Sequence, residues 1–184
     1  MIRIIKKHEL QSSPWTGGTT TELFIFPKSA SYKQMDFDFR MSTATIEVDH
    51  SIFTSLKGVQ RTLMVLAGTL ELIHKNQNAI VLNPFQKDTF MGDWETMSRG
   101  RAVDFNLMVR DPELSGNVQE ISIEQNSLIT LDAEKHGFIY FCEGDAVLNE
   151  ETKLSVGDSV YFDSLTPITV LAQSSVKIVY ASVR

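Results

Sequence analysis

Apolar and polar residues alternate with period two from position 37 to 48, the mark of a strand with one face buried. Phe37, Phe39 and Met41 share one face; Arg40, Ser42, Ala44, Ile46 and Val48 share the other. Shorter runs of the same kind predict strands at 20–26, 61–67, 69–74, 103–109, 118–123, 127–131, 138–142, 159–162, 168–172 and 176–182. Turn chemistry separates them: Lys57-Gly58, Asn76-Gln77-Asn78, Ser115-Gly116-Asn117, Glu143-Gly144-Asp145 and Gly157-Asp158. No long window keeps a helical period, so the pattern predicts an all-β sandwich or barrel.

Two of these stretches match each other. Residues 63–90 read LMVLAGTLELIHKNQNAIVLNPFQKDTF, and 139–162 read IYFCEGDAVLNEETKLSVGDSVYF. Each is an apolar strand ending at a glycine, a second strand, a polar turn and a short element closing on Phe. Gly68 answers Gly144, and Asp88-Thr89-Phe90 answers the stretch from Asp158 to Phe162. A β unit that occurs twice predicts a duplicated barrel. The first unit is expected over about 20–109 and the second over 118–184. The join falls near Pro112 and Gly116, dividing the chain into domains 1–111 and 112–184.

Composition narrows the partners. A formal net charge of -6 leaves no basic field for nonspecific nucleic-acid binding. No stretch approaches the run of apolar residues that a membrane helix needs, and MIRIIKKHEL lacks a signal-peptide core. One cysteine, Cys142, allows no intrachain disulfide, so a reducing cytoplasm is the expected compartment. An oligomer is compatible with all of this.

Three clusters could carry chemistry. In Pro14-Trp15-Thr16-Gly17-Gly18-Thr19-Thr20-Thr21-Glu22 the glycines permit close backbone approach to a ligand, Trp15 could stack on a planar group, and Thr20 and Glu22 could fix its polar atoms. The plain alternative, which composition favours, is a Gly-rich turn with Trp15 in the core. Arg40 and Ser42 either meet solvent or line the mouth of a barrel, where an arginine suits a carboxylate. Asp104 and Asn106 lie mid-strand although both are poor strand formers. Either a polar pocket or a solvated sheet face accounts for them, and pattern alone favours the solvated face.

Several chemistries lack their motifs. His8, His50, His74 and His136 are scattered, with no His-x-His or His-Glu-x-x-His, and Gly-x-Ser-x-Gly is absent. Cys142 sits among apolar residues with no neighbouring base and is expected to be structural. His74 and His136 are expected near turns as ordinary polar residues.

Order and spacing bring in a resemblance. Trp15-x-Gly17-Gly18-x-Thr20-x-Glu22 is followed by Arg40-x-Ser42. Phe53-x-x-Leu56-x-Gly58-Val59-x-Arg61 then runs into Leu63-x-Val65-Leu66-x-Gly68. Phe90-x-Gly92-Asp93 and Asp104-Phe105-Asn106-Leu107-Met108 complete the series. The chain resembles the HutD/Ves family of duplicated cupins over about 10–111, and beyond that chiefly in its repeat. It departs from many members in a 15–22 loop about two residues shorter and in Gln60, where an acidic residue is common.

The resemblance implies an all-β, cupin-like double β-barrel (a bicupin of RmlC-like jelly rolls) and an association with histidine utilisation. It supplies no established reaction. The metal-binding cupin pattern runs Gly-x5-His-x-His, then Glu and a later His. After Gly68 only His74 occupies a ligand position, Asn76 replaces the second, and after Gly144 there is no histidine. Both barrels are therefore expected to lack a metal or other cofactor, with His74 the one position from which a weak site could be built. The resemblance also joins the three clusters into one ligand pocket in the first barrel, built from Trp15, Thr20, Glu22, Arg40, Ser42, Arg61, Asp104 and Asn106. The expected partner is a small polar or anionic metabolite, sensed or sequestered. The rival is a metal-independent isomerase or hydrolase, with Glu22 or Asp104 as general base and Arg40 or Arg61 as electrophile.

Overall fold

The computed structural model describes residues Met1–Arg184. The chain forms two compact units, Gln11–Ser115 and a second made of Gly116–Arg184 together with Met1–Leu10. The strands are β1 (Ile2–Ile5), β2 (Ser12–Trp15), β3 (Gly18–Phe26), β4 (Phe39–Ile46), β5 (His50–Ile52), β6 (Gln60–Gly68), β7 (Leu70–His74), β8 (Ala79–Leu82), β9 (Lys87–Met91), β10 (Thr96–Arg99) and β11 (Ala102–Val109). They continue as β12 (Gly116–Ile123), β13 (Leu128–Leu131), β14 (His136–Glu143), β15 (Ala146–Leu148), β16 (Thr152–Leu154), β17 (Ser159–Asp163), β18 (Ile168–Ala172) and β19 (Val176–Val183).

In the unit Gln11–Ser115 a six-stranded sheet of order β2-β3-β4-β11-β6-β9 packs against a four-stranded sheet of order β5-β10-β7-β8. Leu63 and Val65 from the first meet Leu70, Leu72 and Leu82 from the second in one core. The other unit repeats this frame. Its sheets run β12-β19-β14-β17-β1 and β13-β18-β15-β16, with Ile139, Phe141 and Phe162 packed against Leu148, Leu154 and Val170. Strand for strand, β4-β11-β6-β9 answers β12-β19-β14-β17, and β5-β10-β7-β8 answers β13-β18-β15-β16. This is the antiparallel two-layer arrangement that the alternation and the repeat predict.

Local backbone features repeat as well. Gly68 and Gly144 both have positive φ, 80° and 78°. An added Cβ would come within 2.4 Å of Arg101 O at the first and 2.2 Å of Ser175 O at the second, so only glycine fits either turn. The register of β6 slips at Leu66 and that of β14 at Cys142, each two residues before its glycine. The repeat differs from expectation at one end. Arg61 pairs with Phe90 as Gly137 pairs with Phe162, so the two Phe residues do correspond, but Asp88 then answers Val160 rather than Asp158.

The boundary between units also differs. Positions 1–10 were expected with the first barrel, but β1 pairs antiparallel with β17 and extends the other unit's sheet. Asp158 fixes this segment by accepting hydrogen bonds from Lys6 Nζ (2.8 Å) and Lys7 N (2.9 Å). Four residues with no long alternation give no signal of which sheet they join.

Candidate functional site

Four neighbouring strands of the first unit build a polar wall. Their pairing places residues in rows across the sheet: Arg40, Met108 and Arg61 in one, then Glu22, Ser42, Asn106 and Leu63, then Thr20, Ala44, Asp104 and Val65. Side chains two apart share a face, so β4 turns Arg40, Ser42, Ala44 and Ile46 inward while β11 turns Asp104, Asn106 and Met108 inward. Thr20 and Glu22 share that face by the same parity, and a bulge after Glu22 turns Phe24 to the opposite face, across from Met41. These residues line a cavity of about 700 Å³ within the unit Gln11–Ser115, a volume in the range of small-molecule sites.

All eight residues expected at a ligand pocket line this one cavity. The solvated alternatives do not hold: Arg40 is 6% exposed, Arg61 8%, Asp104 2% and Asn106 5%. Nor is Trp15 a core residue. It stands at the rim, 38% exposed, where its ring covers Gly17 so closely that a Cβ there would lie 2.2 Å from Trp15 Cζ3. Gly18 is needed for another close approach, since its Cβ would meet Thr45 O at 1.8 Å.

The polar groups are connected. Arg40 donates through Nε to Glu22 Oε2 at 2.7 Å and through Nη1 to Ser42 Oγ at 3.2 Å. Arg61 Nη2 donates to Asn106 Oδ1 at 3.4 Å, and Asn106 Nδ2 donates to Asp104 Oδ1. Asp104 thus orients the carboxamide that receives Arg61. Arg61 Nε is buried with no hydrogen-bond partner. Such an orphaned donor is uncommon in folded proteins and costs free energy.

Burial pushes the Asp104 carboxyl up to about 7, although the Arg61 charge and the Ala44 backbone amide pull it down. Burial also lowers the Arg61 guanidinium, opposed by Tyr32 and by Asp104. An arginine keeps its proton even so, and Arg61 remains a buried cation.

Aromatic rings pack against both guanidinium groups, and nothing in the sequence assigned any of them a role at the site. The Arg40 guanidinium lies 4.4 Å from the centre of the Tyr32 ring, and that of Arg61 lies 4.8 Å from Phe53 and 5.4 Å from Phe90. Tyr32 sits in a segment without periodicity. Phe53 belonged to the family-like motif but carried no polar group to suggest a role.

The two histidines expected as ordinary turn residues are instead buried. Alternation along β7 turns Leu70, Leu72 and His74 inward together. His74 Nδ1 lies 2.8 Å from Thr96 Oγ1 and Nε2 lies 2.8 Å from Asp88 Oδ2. His136 Nδ1 lies 2.8 Å from Tyr161 Oη. Burial pushes the Cys142 thiol up to about 12, which fits a structural rather than a nucleophilic role.

The second unit carries no equivalent wall. By strand register, Gly137, Ile178 and Tyr180 occupy the places of Arg61, Asp104 and Asn106. The Phe162 ring fills the space over Gly137, where a Cβ would lie 2.5 Å from Phe162 Cζ. Ile178, Tyr180 and Phe162 belong to the packed core of that unit.

Fold and site together define a duplicated cupin with one polar pocket. Solved structures agree on the fold. A conserved protein of unknown function from Pseudomonas aeruginosa PAO1 is similar at TM-score 0.83 and 20% identity, over 100% of this chain and 98% of that one. HutD from Pseudomonas fluorescens SBW25 is similar at TM-score 0.75 and 23% identity, over 100% of both chains. The bacterial pirin YhhW from Escherichia coli, solved in complex with nickel(II), is similar at TM-score 0.75 and 14% identity, over 98% of both. Comparison with curated proteins gave no match. The HutD family model matches residues 7–180, and the chain belongs to that family.

The nickel in the pirin raises the question of a metal here, and the side chains do not fit one. No three His, Cys, Asp or Glu side chains converge on a common point. The cavity presents two guanidinium groups, which repel a cation, and both nitrogens of His74 are already engaged. No helix is long and apolar enough to cross a membrane.

Proposed function

We propose that this chain binds a small carboxylate metabolite in the cavity of its first barrel, without a metal, and so senses or sequesters that compound. The observation that carries the reading is Arg61: a guanidinium on the wall of a cavity of about 700 Å³, 8% exposed, with no carboxylate in ion-pair contact and its Nη2 held by the neutral Asn106. A carboxylate is the acceptor that a planar guanidinium fork suits best, through two parallel charge-assisted bonds. Asn106 and Ser42 are placed to read neutral polar groups, and Tyr32, Phe53 and Met108 supply apolar wall. Family membership favours a compound of histidine utilisation as the ligand, and the single cysteine favours a reducing cytoplasm as the place of action.

A second reading rests on Asp104. A buried carboxyl raised to about 7 is suited to exchanging a proton near neutral pH, so a metal-independent isomerase or hydrolase with Asp104 as general base is the alternative. Thermal-shift screening against histidine and its degradation intermediates tests the first reading. A ligand at about 100 times its Kd should stabilise the protein by about 2.7 kcal/mol, and Arg61→Gln should abolish the shift. No shift with any carboxylate sinks the reading, and turnover of the compound that binds moves the balance to the enzyme.

A further inference from the structure

Resting on the reading of the cavity as a carboxylate site, we infer that the pocket takes a monocarboxylate together with one proton, and that Asp104 holds the proton. The argument begins with the charges that face one another inside the cavity. Arg40 is neutralised by Glu22 at 2.7 Å. Arg61 has no carboxylate within ion-pair distance, and its nearest polar partner is the neutral Asn106. Asp104, 2% exposed, is reached by the Asn106 amide and the Ala44 backbone amide but by no guanidinium. Tyr32 and Lys33 line the cavity from the segment 27–38, with Lys33 exposed to solvent. The segment 51–54 contributes Ser51, Phe53 and Thr54, none of which titrates.

With Asp104 ionised the buried charges of Arg61 and Asp104 already cancel, and Arg40 is held in its ion pair with the more exposed Glu22, so these wall groups sum to zero. An entering carboxylate would then add an uncompensated charge to a confined space and meet Asp104 as a like charge. Protonating Asp104 removes both costs, because the Arg61 charge is then left uncompensated and a single carboxylate closes it to zero. The Asn106 bridge survives this change, since a carboxylic acid still accepts through one oxygen. A dicarboxylate confined there leaves one negative charge over. Burial pushes the Asp104 carboxyl up to about 7, which makes the proton available at little cost.

The test is calorimetric titration with sodium propionate in cationic buffers of unlike ionisation enthalpy, at about pH 6 and about pH 8. With a group near 7 in the free protein, linkage predicts uptake of about 0.9 proton per propionate at the higher pH and about 0.1 at the lower. Affinity should be about tenfold weaker at the higher pH. Asp104→Asn should bind propionate with no proton uptake and with affinities at the two pH values within about twofold. Succinate should bind wild type at least about tenfold more weakly than propionate.

Three results overturn the inference: propionate binding at about pH 8 with no proton taken up, undiminished uptake in Asp104→Asn, or succinate binding as tightly as propionate. If Arg61→Gln still abolishes propionate binding in any of these cases, the carboxylate reading stands while the proton inference falls. Propionate failing to bind at either pH overturns both. Should Asp104→Asn not fold, the proton count on wild type alone decides.

Discussion

Replacing Asp104 by Asn should change how stability depends on pH, with no ligand present. The carboxyl lies near 7 in the folded chain against an ordinary 3.8. Below about pH 4 it is protonated in both folded and unfolded states and has no effect on the balance. Between about pH 4 and about pH 7 the unfolded chain releases a proton that the folded chain keeps, so stability falls as pH rises. Above about pH 7 the loss is complete. A gap of about three units at about 1.4 kcal/mol each makes about 4 kcal/mol. Solvent reaching the open side of the cavity screens part of it, leaving an expected loss of about 2–4 kcal/mol. Asn keeps an oxygen for the Asn106 amide but has no proton to release. Urea unfolding of both proteins from about pH 4 to about pH 8, at fixed ionic strength, reads the effect. Protonation changes common to both proteins cancel in the difference. The variant should gain on wild type by that amount across the range, whatever its stability at the acid end. Parallel curves would refute the assignment of Asp104 as a buried group that ionises with difficulty.

Two further substitutions probe the cavity and the frame behind it. Arg40→Lys replaces a planar fork that reaches Glu22 and Ser42 with a single ammonium, and should weaken binding of a carboxylate ligand by about 1.5–3 kcal/mol, a tenfold to hundredfold loss by calorimetry, with the circular dichroism spectrum unchanged. His74→Ala strips Asp88 and Thr96 of a partner and opens space against the Phe90 ring, whose centre lies 4.6 Å from the imidazole, so urea unfolding should show a loss of about 2–4 kcal/mol.

The sequence carried the strands well where alternation ran long. The run at 37–48 became β4, and 103–109 became β11, with the predicted sharing of faces. What alternation could not say was which face was interior, because a period of two is symmetric between faces. Arg40 and Asp104 were therefore legible as neighbours of Ser42 and Asn106 but not as buried groups until the order of the clusters matched a family. Short strands such as β1, β2, β5 and β10 span three or four residues and leave no periodic signal. Tyr32 was illegible for a different reason: it enters the cavity from a loop, where position is set by the path of the backbone rather than by strand parity. His74 shows the opposite failure. Its place in the inward set of β7 was readable from Leu70 and Leu72, but a polar residue beside a turn reads as solvent-facing unless its partners, Asp88 and Thr96, are known.

The duplication separates what the frame requires from what the site requires. Both units share strand order, the positive-φ glycine and the bulge two residues before it, so these belong to the frame. The units part at the positions held by Arg61, Asp104 and Asn106, where the second has Gly137, Ile178 and Tyr180. With those residues, Phe162 closes over Gly137 and the barrel interior is core. An open barrel lined only by apolar groups would forfeit packing and leave a void that water does not favour. Polar groups on the wall remove that penalty, because water can hydrogen-bond to them when no ligand is present. The same guanidinium and carboxamide groups that would recognise a carboxylate are thus also what lets the first barrel stay open. Filling it should need no change of strand order, only apolar residues at these register positions.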